Sequence, residues 1–132
     1  MKLLLDTQIL LWAVARPELL SEQARQLLTD EDNEIYFSPV SLWEVAIKNS
    51  LSRPSFQVDP KILHAQLLAR GYHEIAIIGL HATAVSDLPL LHKDPFDRLL
   101  LAQAKTEGIS LITSDATLSA YPAPVILVRK PF

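Results

Sequence analysis

The chain has 132 residues, of which 49% are hydrophobic and only three are glycine, and it contains no cysteine. This length and composition predict one globular domain over residues 1–132, and they exclude disulfides, thiolate zinc sites and cysteine nucleophiles. Any metal would therefore be bound by oxygen or imidazole. The net charge of −3 is not typical of a nucleic-acid-binding protein, although an enzyme that clusters carboxylates lowers its own net charge and can keep a basic rim.

The first half of the chain alternates apolar runs with helix signals. The predicted elements are a strand at 2–5, a helix at 9–15, a helix at 21–29 with Ser21 as N-cap, a strand at 34–37, and a helix from Ser38-Pro39 to about residue 49. Residues 51–59 are predicted to be irregular. The first apolar run is interrupted by Asp6, so neither a signal peptide nor a membrane span is predicted, and we expect a cytoplasmic protein.

The second half continues the alternation. Its predicted elements are a helix at 60–70 ended by Gly71, a strand at 73–77, a short helix at 80–86, a helix at 96–104 closed by Gly108, a strand at 109–113, a turn of helix at 116–120 and a strand at 125–128. Strands that are nearly all apolar and alternate with helices indicate the α/β class, as a three-layer α/β/α sandwich with a central parallel sheet. In such a sheet the ligand site lies at the carboxyl ends of the strands.

Acidic residues stand at several of these strand and helix ends. Asp6 ends the first strand, Asp115 follows "SLITSD", and Asp94 and Asp97 open the helix that leads into that same strand. Each could simply cap a helix, because an aspartate there accepts backbone N–H bonds. The pair Asp94-Pro95 is the clearest cap, since proline is favoured at the first helical position. Asp97 could be part of the same cap or could direct its carboxylate over the edge of the sheet.

Glu44 is more informative than these aspartates. In "SPVSLWEVAIK" the helix could begin at Ser41, with Glu44 completing a capping box, or at Ser38, with Pro39 in the first position. Proline after Ser38 favours the second start, which places Glu44 too deep in the helix to cap it. Its neighbours are apolar, so it needs a partner, and Lys48 four residues on could be that partner in an ordinary ion pair.

Together, Asp6, Glu44, Asp97 and Asp115 form an acidic quartet drawn from four segments. Carboxylates packed closely repel one another, and at least one pKa rises unless a cation is present. Such oxygen ligands suit Mg²⁺ or Mn²⁺, and a divalent ion there can activate water for phosphodiester hydrolysis. The residues alone thus make a physical case for a nuclease.

Four stretches, "LLLDTQILLW", "SPVSLWEVAIK", "HKDPFDRLLLAQA" and "LITSDATL", together resemble the PIN domain, in the VapC-type toxin branch of bacterial type II toxin–antitoxin systems. The resemblance implies an α/β/α fold, Mg²⁺- or Mn²⁺-dependent endoribonuclease activity on RNA, a homodimer and a cognate antitoxin. It also implies that Asp6 and Asp97 are the core metal ligands and that Glu44 and Asp115 hold the metal or its waters.

The same resemblance assigns supporting positions. Thr113 corresponds to a position where the family often has a hydroxyl facing the site, and Asp94 belongs to the "DPFDR" signature while still serving as a cap. Apart from the resemblance, Arg98 and Lys48 are candidates by their charge for contacting RNA phosphate or balancing the acidic cluster, and the alternative is a solvated or ion-paired side chain. His92 is expected to be exposed beside the site.

Some interpretations remain open beside the nuclease. Asp6 could be the nucleophile of an aspartyl phosphatase or receiver-like domain, although no second aspartate follows two residues later. A catalytically silent interaction domain of the same fold is the other alternative, but it has little reason to gather four repelling carboxylates. Trp12 and Trp43 follow apolar helical faces and are predicted to be core or interface positions rather than base-stacking platforms.

Overall fold

A computed structural model describes residues 1–51 and 58–131. It contains a sheet of five parallel strands in the order β3-β2-β1-β4-β5. The strands are β1 (Lys2–Leu5), β2 (Glu34–Phe37), β3 (His73–Glu74), β4 (Ser110–Thr113) and β5 (Val125–Leu127). The central strand β1 therefore lies between β2 and β4, and all carboxyl ends meet at one edge.

Six α-helices connect and cover the described strands. They are α1 (Thr7–Ala15), α2 (Glu22–Thr29), α3 (Pro39–Ser50), α4 (Pro60–Ala69), α5 (Gly79–Ala84) and α6 (Pro95–Glu107), with 3₁₀ turns at Pro17–Leu19, Val85–Asp87 and Ala116–Ala120. Of the segment predicted to be irregular, residues 52–57 lie outside the described residues. None of the described helices is long and apolar enough to cross a membrane.

The pleat of the strands sorts the core into two layers. Leu3 and Leu5 of β1 pack with α1 and α4 on one face, where Ile9 and Leu67 belong to the same buried cluster. Leu4 points to the other face and packs with residues of α6. Because successive strand residues point to opposite sides, an apolar strand needs helices on both faces. The predicted three-layer α/β/α sandwich is confirmed.

Local signals explain where the helices begin and end. Ser21 caps α2, and Ser38 caps α3 with Pro39 in the first position, as predicted. Asp94 caps α6 ahead of Pro95. Gly108 ends α6 with φ of 67°, a left-handed conformation that favours glycine. The second of the two predicted starts for α3 is therefore the one observed.

The prediction of a strand at 73–77 is wrong in its length. Only His73 and Glu74 pair with β2, and the last bond runs from the Ile75 N–H to the Phe37 carbonyl at 2.9 Å. Since β2 ends at Phe37, where the chain turns into α3, an edge strand has no partner beyond that point. The apolar residues at 75–77 favour a strand, but Ile77 is exposed.

Candidate active site

Four separate elements bring carboxylates into one cleft at the carboxyl edge of the sheet. The cleft has a volume of about 450 Å³. Its lining combines acidic, hydroxyl, apolar and basic side chains: Asp6, Thr7, Gln8, Leu11, Trp12, Glu44, Lys48, Asp94, Asp97, Ser114, Asp115, Lys130 and Pro131. All four members of the predicted quartet are present, together with Asp94 and Lys48.

Asp6 lies deepest, at the end of β1, and only 5% of its surface is exposed. It caps α1, because its Oδ1 accepts the N–H of Ile9 at 2.8 Å, and its Oδ2 accepts the hydroxyl of Thr113 at 2.5 Å. Burial raises the pKa of Asp6 to about 6, with further increases from Glu44 and Asp115, against the lowering effect of the two hydrogen bonds. Asp6 therefore caps α1 and also contributes its carboxylate to the cleft.

Glu44 is held by two partners on neighbouring elements. Its Oε1 accepts the hydroxyl of Thr7 at 2.7 Å, and its Oε2 lies 2.8 Å from the Lys48 ammonium. Thr7 has a single hydroxyl proton, which it donates to this carboxylate, and the hydroxyl of Ser41 lies 2.9 Å from the Thr7 oxygen. A buried glutamate with both oxygens contacted is fixed in orientation.

The two aspartates of α6 have different roles. Asp94 Oδ1 accepts the N–H groups of Phe96 and of Asp97, so Asp94 is the helix cap. Asp97, one turn further, is partly buried in the cleft, and its pKa is raised to about 7 by burial and then by the charges of Asp94, Asp6 and Glu44. Asp97 thus lines the same cleft as the other three acids.

Asp115 is more open than the other three, with 40% of its side chain exposed. It caps the turn Ala116–Ala120 by accepting the Thr117 N–H at 2.9 Å, and its second oxygen lies 3.1 Å from His92 Nε2. Burial opposes ionisation, but the hydrogen bonds from Thr117 and His92 prevail and lower the pKa of Asp115. Thr113 is shared, since its oxygen also accepts the Asp115 N–H at 3.0 Å.

His92 is not exposed as predicted, because only 22% of its side chain is accessible. Its Nε2 lies 3.4 Å from Asp97 Oδ2 and 3.1 Å from Asp115, and potential ligand atoms of these three residues lie within 4.8 Å of one another. Its Nδ1 accepts the N–H of Asp94 at 3.1 Å. A ring nitrogen that accepts leaves the proton on the other one, so Nε2 donates to the carboxylates in this arrangement and offers no lone pair to a metal.

Arg98 lies neither in the acidic cleft nor on the solvated surface, the two places expected for it. Arg98 is buried and absent from the cleft lining, and its guanidinium donates to the carbonyls of Val85, Leu88 and Pro89. It also donates to the Tyr121 hydroxyl at 3.2 Å. A five-donor fork suits a loop rich in free carbonyl groups, and here it fixes the segment that leads to His92. Lys48, by contrast, does line the cleft as an ion-paired partner of Glu44.

Several residues of the site were not found from the sequence. The Tyr121 hydroxyl accepts the N–H groups of Leu91 and His92, at 3.1 and 2.7 Å, and so supports the His92 loop from 29 residues away. No local pattern reveals a contact of this kind. Thr7 was detectable in principle, because a hydroxyl that directly follows a strand-end aspartate lies at the same edge of the sheet.

A parallel α/β/α sandwich that gathers carboxylates in a cleft at its carboxyl edge defines a class of domains suited to hard divalent cations and phosphate-containing ligands. Comparison with known proteins agrees with this class. The chain belongs to the PIN domain family, whose model matches residues 3–124.

Individual relatives point the same way. The chain is 32% identical over 125 residues to Ribonuclease VapC22 of Mycobacterium tuberculosis (strain ATCC 25618 / H37Rv), covering 92% of this chain and 95% of that protein. The fold is similar to that in a crystal structure of VapBC2 from Rickettsia felis bound to a DNA fragment from its promoter, with a TM-score of 0.70, 20% identity, and 98% and 99% of the two chains covered. A toxin–antitoxin complex from Klebsiella pneumoniae gives a TM-score of 0.61 at 20% identity, covering 98% and 97%.

Proposed function

We propose that this protein is a divalent-metal-dependent endoribonuclease and the toxin of a toxin–antitoxin pair. The observation that carries the proposal is the convergence of Asp6, Glu44, Asp97 and Asp115 in one cleft, with the pKa values of Asp6 and Asp97 raised to about 6 and about 7. Ionising two buried carboxylates beside other carboxylates costs free energy, and a bound cation would offset that cost. The ribonuclease named among its relatives supports the same activity.

The donor set fits Mg²⁺ or Mn²⁺. All four side chains offer carboxylate oxygens, which these ions prefer. Each oxygen of Asp6 accepts one hydrogen bond and keeps a further lone pair for a metal. Asp6 and Asp97 would hold the ion, and Glu44 and Asp115 would bind it directly or through its waters.

When bound, a divalent ion supplies a water of lowered pKa and compensates the charge that develops on the phosphodiester. The protein's own residues prepare the site for this. Thr113 fixes Asp6, while Thr7 and Lys48 fix Glu44, so neither carboxylate needs to reorient when substrate arrives. His92 donates to Asp115 and keeps that carboxylate ionised and pointing into the cleft.

The wider assignments follow from the same proposal. RNA is the substrate, a cognate antitoxin is the inhibitor, and a homodimer in the cytoplasm is the working form. Structures of toxin–antitoxin complexes among the similar folds support an antitoxin partner. A single domain over residues 1–132 is supported by the two apolar clusters that cover opposite faces of one sheet.

Neither alternative is favoured by a specific observation. An aspartyl phosphatase or receiver-like site would have a second aspartate two residues after the nucleophile, and Gln8 occupies that position in this chain. A silent interaction domain gains nothing from retaining four carboxylates in one cleft, since their repulsion is destabilising.

The test is cleavage of an RNA pool in the presence of Mn²⁺ by wild type, Asp6→Asn and Asp97→Asn. We expect each substitution to slow cleavage by about 100- to 1,000-fold, the range for loss of a major electrostatic element of a site, and to weaken Mn²⁺ binding in calorimetry. Asp87→Asn, on an exposed turn outside the cleft, is the matched control and should cut at the wild-type rate. Folded Asp6→Asn and Asp97→Asn proteins that cut as fast as wild type would contradict the assignment.

A further inference from the structure

One wall of the cleft is not used by the acidic quartet. It is formed by Gln8, Leu11 and Trp12 of α1. Spacings of three and four residues place these side chains on one face of the helix. Asp6 caps this helix, so Trp12 lies six residues, or about 9 Å along the axis, from the deepest carboxylate. The wall therefore lies beside the proposed reaction centre and not within it.

Trp12 has different surroundings on its two sides. It packs against the buried cluster around Ile9 and Leu10, and it also lines the cleft. A large ring anchored on one side and open on the other is a platform for stacking a nucleobase. Trp12, predicted as a core or interface position, is partly buried against this cluster and also lines the cleft.

The charges of the cleft add a second feature. Its floor is acidic, and two lysines contribute to its lining, Lys48 and Lys130. Lys48 is paired with Glu44 at 2.8 Å, whereas exposed Lys130, beyond β5, makes no ion pair within residues 1–51 and 58–131. An unpaired ammonium beside a nuclease centre is available to a phosphate of the substrate.

From these observations we propose that the α1 wall is a nucleotide subsite, in which an unpaired base of the RNA stacks on Trp12 while Lys130 binds a neighbouring backbone phosphate. The amide of Gln8 offers a donor and an acceptor to the edge of the same base. In a duplex the bases are stacked inside the helix and cannot reach such a ring, so this subsite binds only an unpaired base. The inference rests on the proposed function and adds the residues that bind one nucleotide beside the reaction centre.

The first experiment measures binding without cleavage. A Trp43→Phe protein, in which Trp12 is the remaining tryptophan, is titrated in EDTA with a single-stranded RNA oligonucleotide of mixed sequence and with the same strand annealed to its complement. We expect the single strand to quench the Trp12 fluorescence and the duplex to leave it unchanged. The matched control is Trp12→Phe, which reports on Trp43, a ring 57% exposed and packed edge-on against Phe96 outside the cleft.

The second experiment measures affinity for the same single strand in EDTA. Trp12→Leu keeps apolar packing but removes the aromatic face, and it should weaken binding about tenfold, as expected for loss of one base–aromatic stack. Trp43→Leu should bind as wild type does. Lys130→Ala should weaken binding and reduce the slope against salt concentration by about one, and Lys105→Ala, on the last turn of α6, should not.

Some results would overturn the subsite. These are equal quenching by duplex and single strand, or wild-type affinity in a Trp12→Leu protein that is folded by thermal melting. Trp12 fluorescence that changes on addition of a protein partner but not on addition of RNA would also overturn the nucleotide subsite. The α1 wall would then be a binding surface for that partner.

The subsite and the proposed function can fail separately. If wild type cleaves RNA with Mn²⁺ but Trp12 is not quenched, the subsite alone is wrong. If single-stranded RNA quenches Trp12 but no RNA is cleaved, the proposed activity is wrong and the subsite stands. Trp12→Leu should also keep the Mn²⁺ affinity of wild type in calorimetry, because Trp12 contributes no oxygen ligand.

Discussion

The ends of the neighbouring strands β1 and β4 carry aspartates with the same local role and opposite electrostatics. Asp6 and Asp115 each cap the helical segment that starts at the next residue. Asp6 is buried, and its pKa is raised to about 6, whereas Asp115 is 40% exposed, and its pKa is lowered by hydrogen bonds that outweigh its burial. The capping role of an aspartate therefore does not determine its pKa. The pKa depends on how deeply the carboxylate is buried and on the hydrogen-bond donors around it.

Thr113 joins these two ends into one unit. Its hydroxyl donates to Asp6, and its oxygen accepts the N–H of Asp115. The carboxylate of Asp6 is therefore held by a hydroxyl and a backbone N–H, while that of Asp115 is held by the backbone N–H of Thr117 and by the imidazole of His92. The buried end gains most from a bound cation, because its carboxylate pays the larger desolvation cost.

The largest expected effect is on the pH dependence of stability in the metal-free protein. The pKa of Asp6 rises from 3.8 to about 6 on folding, so its contribution to stability is complete below pH 3.8 and is lost as the pH rises through about 6. At about 1.4 kcal/mol per pKa unit, the free energy of unfolding should fall by about 2 kcal/mol from this group between pH 4 and pH 7. Urea denaturation in EDTA at several pH values measures it.

Asp6→Asn should remove this part of the slope, leaving a decrease of the same sign from Asp97, whose pKa is raised to about 7. Asp115→Asn serves as the control with the opposite sign, since a lowered pKa gives stability that is lost as the pH falls. If the free energy of unfolding depends on pH in the same way in wild type and Asp6→Asn between pH 4 and pH 7, burial does not raise the pKa of Asp6.

The parts of the site set by local patterns could be predicted from the sequence. An aspartate that ends an apolar strand, a serine or an aspartate before proline, and a glutamate too deep in a helix to cap it all have local causes. These signals placed Asp6, Glu44, Asp94 and Asp97 on the right elements. The parallel sheet followed from apolar strands that alternate with helices, because that pattern requires helices on both faces.

The parts set by distant contacts could not be predicted. Arg98 looks like a surface cation in "DPFDR", but it is buried because a loop of free carbonyl groups 9 to 13 residues upstream folds over it. His92 depends on Tyr121 in the same way, through contacts that span 29 residues. The short β3 likewise reflects where its neighbour ends and not its own apolar residues.

A smaller effect is expected from removing the shared hydroxyl. Thr113→Val keeps the shape of the buried side chain but removes the donor to Asp6 and the acceptor for the Asp115 N–H. We expect a loss of about 2 kcal/mol in the free energy of unfolding and a 10- to 100-fold weaker affinity for Mn²⁺ in calorimetry. Thr113→Ser keeps the hydroxyl and should retain most of both quantities. Equal losses in the two variants would mean that the methyl group, and not the hydroxyl, supports the site.

The smallest effect is expected at the open end. His92→Leu removes the donor to Asp115, so the pKa of Asp115 should rise toward its ordinary value of 3.8. Stability should change by less than about 1 kcal/mol, because the pair is partly exposed and water replaces the lost contact. Carbon NMR titration of the Asp115 carboxyl measures the shift, with His73→Leu, on the edge strand β3, as the control. An unchanged pKa of Asp115 in His92→Leu would mean that its backbone donor Thr117 alone keeps this carboxylate ionised, and the difference between the two strand ends would then lie in burial alone.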